Sequence, residues 1–455
     1  MIYDEYTIKK SIPNIMKWVQ IYLICTILLY LFGPILYVKY NLVLVLVLLA
    51  IYQLFLWLGY NRGIRKTIQT IKDDNYRSAK EFTLQDQRLI ISLGVVGIFF
   101  DILMMYRMAN TWNIATIFQK ILNGLTSPAS QYQEYYYDHA AGNLGGGAIF
   151  SLFITLGTPF AIAAIILGIF YFSNLSFAGK TIIILGSLFH LGTQFITGAN
   201  EGIFDFAIYV AVSIFMRNLN LGFMEKRNSI RAGWKKFVVI ILGIIAAVLA
   251  LSFFTNNIMG RTQGNFAFST LGENKYDPNA GINKYVPEPI FVTFAYLSVY
   301  LCEGYYGFSL TTKLPWVPML GTGFSSFIRN NVGDLLGIDL FQYSYQYRIE
   351  SIAVWGKLKN FHTAYTFWAN DLSHIGVPIA MFLMGEVLAK YYLRCVYRCE
   401  KTAIVMMPLM ITMMFYLPAN NKIFVQPSTF LLFFFIVIYD ALKGKVRFTF
   451  GGRRL

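Results

Sequence analysis

Ten apolar runs, most of them about long enough to cross a bilayer, divide this chain. They lie at about 18–38, 41–60, 89–105, 147–172, 181–198, 202–216, 237–254, 374–392, 402–418 and 424–442. In lipid, every backbone N–H and C=O must find its partner inside the protein, so a spanning segment is a helix or part of a closed barrel. The short alternating segments of a barrel are absent. Hydrophobic residues make up 56% of the 455 and charged ones only 13%, about half the usual globular share. The expected fold is therefore an all-α polytopic membrane protein of about 10–12 transmembrane helices, with residues 1–455 forming one integral membrane domain.

Charge predicts the orientation. With the N-terminus inside, the inside segments carry 25 Lys and Arg, whereas the short outside loops carry four: Lys39, Arg107, Lys120 and Lys422. Both termini are then cytoplasmic. The first run is too long for a signal-peptide core and lacks a small-residue cleavage site, so it is expected to stay as an anchor. Two long segments fall outside, 106–146 and 255–372. The stretch IFVTFAYLSVYLCEGYYGFSL, about 290–310, cannot cross alone without breaking this parity. A second crossing at 314–328 is opposed by Pro315, Pro318, Gly321 and Gly323. Residues 290–310 are thus predicted to form an interfacial or re-entrant helix beneath the long loop.

Several function classes drop out. The net charge of +15 sits at span ends by side, which argues against nucleic acid as a partner. Cys25, Cys302, Cys395 and Cys399 show no disulfide framework, and no spacing of ligands suggests a metal. The GNLGGGA stretch at 142–148 lacks the Lys-Ser/Thr ending of a phosphate loop and reads as a hinge. No internal repeat or matched pair of broken helices is visible, which lowers the case for a secondary transporter.

The candidates for chemistry lie mainly in the 255–372 loop. Arg261, Arg329 and Arg348 carry permanent charge and could grip a lipid phosphate or pyrophosphate in a two-pronged manner, or simply anchor to headgroups and loop acids. In FHTAYTFWANDLSHIG, His362, Asp371 and His374 could take a hydroxyl proton or orient a sugar, while Asp371 could equally cap the next span. Tyr365 and Trp368 could offer a platform to sugar rings or belong to the interfacial aromatic belt. Polar residues within the spans form a third group: Asp101, His190, Gln194, Asn200, Glu201, Asp205 and Glu386. Glu201 and Asp205, four apart after a tight turn, share a helix face.

Three places resemble the bacterial oligosaccharide repeat-unit polymerases, the Wzy-type O-antigen and capsule polymerases. These are TGANEGIFDFAIYVAVSIF after the fifth span, Arg261 beyond the seventh span with FVTFAYLSVYLCEGYYGF after it, and HTAYTFWANDLSHIGVPIAMFLMG. They cover about a fifth of the chain. One departure is that the first turn reads Gly198-Ala199-Asn200-Glu201, without the Gly-x-Arg often seen in related polymerases and ligases. The resemblance implies a C-type glycosyltransferase-like fold in the bacterial cytoplasmic (inner) membrane. It implies block transfer of glycan from undecaprenyl pyrophosphate, serving as donor and acceptor carrier, with no nucleotide, cofactor or metal. Membrane lipids, a chain-length regulator and a flippase are the further partners it suggests. Under that reading, Arg261, Arg348 and Arg329 would hold pyrophosphate, Asp371, His362 or Glu201 would act as base, and Tyr365, Trp368 and His374 would hold sugar. The rival readings are an O-antigen ligase-type transferase, a flippase or transporter for lipid-linked sugars, and a non-catalytic scaffold.

Overall fold

A computed structural model describes residues 14–73, 82–140, 144–224, 251–260, 273–276, 284–285, 288–353, 355–356, 361–443, 449–450 and 453–454. Apolar runs become helices: α1 Ile15–Phe32, α2 Leu42–Asp73, α3 Leu84–Ala109, α4 Ile114–Thr126, α5 Pro128–Ala140, α6 Ala148–Phe170, α7 Phe177–Thr197 and α8 Asn200–Met224. Helical residues 251–260 form α9. The series continues with α10 Glu288–Thr311, α11 Ser326–Leu336, α12 Ala364–Arg398, α13 Lys401–Tyr416 and α14 Pro427–Leu442. Among the described residues, six helices are long and apolar enough to cross a membrane, and α13 and α14 are shorter apolar helices. The protein is thus an all-α, multi-pass membrane protein. The predicted span at 237–254 is described only from residue 251.

Local sequence sets the helix starts. Asn14 and Ser176 cap α1 and α7 with side-chain oxygens. Thr83 and Asp86 form a reciprocal capping box at α3, and Lys401 pairs with Asp86 to tie that start to α13. At the same end of the bundle, Arg394 of α12 pairs with Glu400 and Asp440, fastening α12, α13 and α14 together.

The most extensive helix pair is α2 against α12. Lipid tails are as apolar as leucine, so helices in a bilayer gain by approaching closely through small residues. Gly59 and Gly63, four apart on α2, meet Gly385 and its neighbours on α12. A Cβ at Gly59 would stand 1.9 Å from the Phe382 carbonyl oxygen, which belongs to rigid helix backbone. Gly59→Val is therefore expected to destabilise the protein by at least about 2 kcal/mol through forced separation of the two helices. Thermal unfolding in detergent checks this, with Gly147→Ala, where a Cβ meets nothing within 4 Å, as the neutral control.

The long insert folds onto one end of the bundle, here termed the loop face. Its residues Lys275–Tyr276 pair antiparallel with Ile35–Leu36 just after α1, a two-residue ladder that helical patterning did not predict. Successive turns of α10 meet different elements of this face. Thr293 reaches Thr255 of α9, and Gly304 abuts the Pro418 carbonyl and Thr363. Tyr305 bonds Thr26 at 3.0 Å, and Thr311 bonds His374 at 3.1 Å. α10 thus contacts α9, α1 and α12 partway along their lengths, and the turn that follows α13.

The other segment predicted to lie outside carries the α4–α5 hairpin, Ile114–Thr126 and Pro128–Ala140. It is anchored where Gly124 packs on the Phe195 carbonyl and Gln131 bonds the Ile196 carbonyl of α7.

Candidate functional site at the loop face

Two adjacent residues at the start of α12 organise the loop. Asn370 is buried and uses every hydrogen-bonding group it has. Its side-chain oxygen accepts from the Tyr345 N–H at 2.8 Å, and its amide donates to the Gly323 carbonyl and Gln346 Oε1. Its backbone carbonyl accepts from the Met319 N–H and from Trp316 Nε1. Next to it, the Asp371 carboxylate accepts three backbone N–H groups, from Gly321 at 2.8 Å, Gly323 at 3.1 Å and Phe324 at 2.7 Å. Leu320 and Gly321 both adopt positive φ, 51° and 87°, which turns successive N–H groups inward to form an anion nest. The nest here is filled by the protein's own carboxylate.

Just beyond, Ser373 breaks α12 with φ 57° and ψ 169°, a conformation that costs roughly 1–3 kcal/mol for a non-glycine residue. The kink is held because Tyr52 donates to the His374 carbonyl at 2.8 Å while the His374 ring bonds Thr311. The segment 364–372 is thereby set at an angle to the long remainder of α12.

A second polar cluster lies at the α7–α8 turn. Lys422, in the segment linking α13 and α14, is 2% exposed and pairs with Glu201 at 2.7 Å and Asp205 at 2.9 Å. Burial alone would lower the Lys422 pKa, but the two carboxylates outweigh it and hold it above the ordinary lysine value. Asn257 of α9 donates to Asn200 Oδ1 at 2.6 Å and to the Gly198 carbonyl at 3.1 Å, which fixes the turn.

The two clusters are joined. Asn421 donates to the Phe324 carbonyl at 2.6 Å, and Ser325 donates to the Phe424 carbonyl at 2.5 Å. One continuous network therefore runs from Asp371 through Phe324 and Asn421 to Lys422, Glu201 and Asp205. It unites the α7–α8 turn, the 319–324 loop with the start of α12, and the α13–α14 linker, regions far apart in sequence.

The predicted site residues fall into distinct places. Asp371 and Glu201 belong to this network. Glu201 is the accessible one, with its side chain 42% exposed. Arg329 stands on α11, beside the fastened loop. It is 7% exposed, lies 4.2 Å from the centre of the Phe341 ring, and has no carboxylate within 4 Å among the described residues. Burial lowers its pKa to about 10 even though Asp339 pulls the other way. Arg348 is committed elsewhere: both terminal nitrogens donate to the Pro315 carbonyl, at 2.9 and 3.0 Å, and burial lowers its pKa too.

Arg261 lies outside the described residues. Its neighbour Gly260 packs against Ala129, at the end of α9 close to the Asn257–Asn200 contact. His362 is buried beside Gly307.

The aromatic candidates are all packed against other rings. Tyr365 is 1% exposed and wedged between Tyr52 and Phe308, so it is a core residue with no ring face left for a sugar. Trp368 stacks on Phe324 with ring centres 5.1 Å apart, and His374 stacks on Tyr345 at 5.3 Å. Both rings are used to hold the loop.

Sequence reasoning missed Asn370 as the loop's organiser and Lys422 as the partner of two acids. A faint signal existed for Lys422: it is the lone charged residue of its linker, and two acids on another helix share a face. No family model matches this chain, and no curated protein or solved structure matches it. The loop face offers the buried Arg329 guanidinium, the exposed Glu201 carboxylate beside Lys422, and a loop fastened by hydrogen bonds to Asp371.

Proposed function

We propose that the protein polymerises lipid-linked oligosaccharide repeat units by block glycosyl transfer at the loop face. The observation that carries this reading is Arg329, a largely buried cation with no carboxylate within 4 Å among the described residues. Such a group is costly unless an anion arrives, and a guanidinium matches the paired oxygens of a pyrophosphate. In the reaction, the bond from the sugar's anomeric carbon to the undecaprenyl pyrophosphate oxygen breaks, and an acceptor hydroxyl oxygen forms the new bond. The leaving pyrophosphate takes the electron pair, and positive charge stabilises it. The hydroxyl proton passes to a carboxylate, for which Glu201 is the accessible choice. The expected setting is the bacterial cytoplasmic membrane with the loop face outside.

The test supplies purified protein in liposomes with undecaprenyl-pyrophosphate-linked repeat units and no nucleotide. A ladder of longer lipid-linked glycans is the expected product, and folded protein that makes none overturns the reading. Arg329→Ala is expected to lower the rate by roughly a hundredfold or more, the scale of losing one charge-stabilising group in a transition state. Arg329→Lys should restore part of it.

One observation favours a second reading, a flippase for lipid-linked sugars. Ionisable side chains lie buried on the bundle helices, Asp101 with His190 and Asp205 with Lys422 of the α13–α14 linker, as along a transport pathway. Translocation of labelled lipid across the vesicle without any ladder would establish that reading instead.

A further inference from the structure

The Asp101–His190 pair in the middle of the bundle has a chemistry of its own. Asp101 of α3 is 2% exposed, and its Oδ1 lies 3.3 Å from His190 Nδ1 of α7. At 1.5 Å per residue, the two stand roughly 10–12 Å below the ends of their helices at the loop face. A carboxylate at that depth needs all its lone pairs satisfied, yet Asp101 Oδ2 is buried and has no partner. Beside it is a cavity of about 10 Å³, walled by Asp101 and by Gly94, Gly97, Ala161 and Ala164, at the lower limit for one water. The walls give a water nothing else to bind. The other charged groups facing the pair come from α8 and the α13–α14 linker. Asp205 acts electrostatically on His190, and its own Oδ1 is also an orphan. Lys422 and Glu201 stand behind Asp205. Among the described residues, no three His, Cys, Asp or Glu side chains gather to hold a metal ion.

We propose that Asp101 and His190 form a membrane-embedded proton-binding site. With one proton between them the pair is neutral overall, either as carboxylate with imidazolium or as carboxylic acid with imidazole. Loss of that proton leaves a bare negative charge in the bundle, and gain of a second leaves a bare positive one. The orphan Oδ2 is where a second proton adds, which makes the pair an acid and a base in the middle of the membrane. The inference stands whether the loop face polymerises or transports.

The test is infrared difference spectroscopy on the whole protein in lipid nanodiscs, stepped between about pH 5 and pH 8, where histidine changes charge. The wild type is expected to show a carboxylic-acid carbonyl band together with an imidazole ring band, both following one titration. Asp101→Asn should abolish the carbonyl band entirely. Asp101→Glu, which keeps the carboxyl group, should move the band without removing it, and His190→Gln should shift its midpoint. Matching melting temperatures for Asp101→Glu and wild type control for folding. An identical carbonyl band in wild type and Asp101→Asn overturns the proposal, as does a His190 ring band that does not change over this range.

Discussion

Replacing Lys422 with methionine is expected to destabilise the protein by about 3–5 kcal/mol, the scale for removing one partner of a buried ion pair. Lys422 is 2% exposed and is the cation recorded between Glu201 and Asp205. Methionine fills similar space, so the loss comes from two carboxylates left facing one another beside the α7–α8 turn. The loss is measured as the change in thermal unfolding in nanodiscs. Adding Asp205→Asn to Lys422→Met removes one of the stranded charges and should recover much of the stability. Lys422→Met alone leaving the melting temperature unchanged would show that the cluster is solvated rather than buried. The pH sign also follows. The folded Lys422 pKa is raised, so its contribution is complete below the ordinary lysine range and is lost only as pH rises through the raised value. Loss of stability on acidification cannot come from this lysine.

Asp371→Ala is expected to release the 319–324 loop. Three backbone N–H groups lose their acceptor at once; Gly321 is exposed and can turn to water, while an unsatisfied buried donor costs about 1–3 kcal/mol. Opening the loop to water relieves part of that cost, so the visible effect is faster hydrogen exchange at Gly321, Gly323 and Phe324, by roughly a hundredfold or more for about 3 kcal/mol of lost protection. Asp371→Asn keeps one acceptor oxygen and should give an intermediate rate. The same pair of variants separates two roles for this residue. If Asp371 serves only to fasten the loop, glycan ladder formation tracks loop protection across Asn and Ala. If it acts as the base, Asn abolishes the ladder while the loop stays largely protected.

Most helices were legible because lipid imposes a severe rule on sequence. A span needs about twenty apolar residues, and its own backbone satisfies every polar group. The expected spans at 41–60, 89–105 and 147–172 match α2, α3 and α6, and α2 and α3 also extend well past their apolar runs. Composition alone could not mark those ends, since amphipathic turns beyond the bilayer continue a helix without continuing its hydrophobicity. Parity of charge predicted an interfacial or re-entrant helix at 290–310, and one helix, α10, covers that stretch. What parity could not show is which elements α10 meets.

The candidate site was legible in its residue types and not in its pairings. Arginine, histidine and carboxylates in an apolar chain announce themselves, because each is expensive to keep there. Which of them faces another depends on the loop's path, and that path is written in hydrogen bonds from Asn370 and Asp371 to backbone groups of residues whose side chains carry no signal. Tyr365 shows the converse. Its neighbours in sequence suggested an interface, while its neighbours in space, Tyr52 and Phe308, make it core.

The sequence by itself determined an all-α, multi-pass membrane protein with one long polar insert, because burial of backbone in lipid permits little else. Only the tertiary structure decided that Lys422 closes on Glu201 and Asp205, that Asp371 fills its own loop's nest, and that Arg329 is buried against Phe341. Those outcomes depend on contacts between residues far apart in the chain, where short-range pattern carries no information and only packing brings charges within reach.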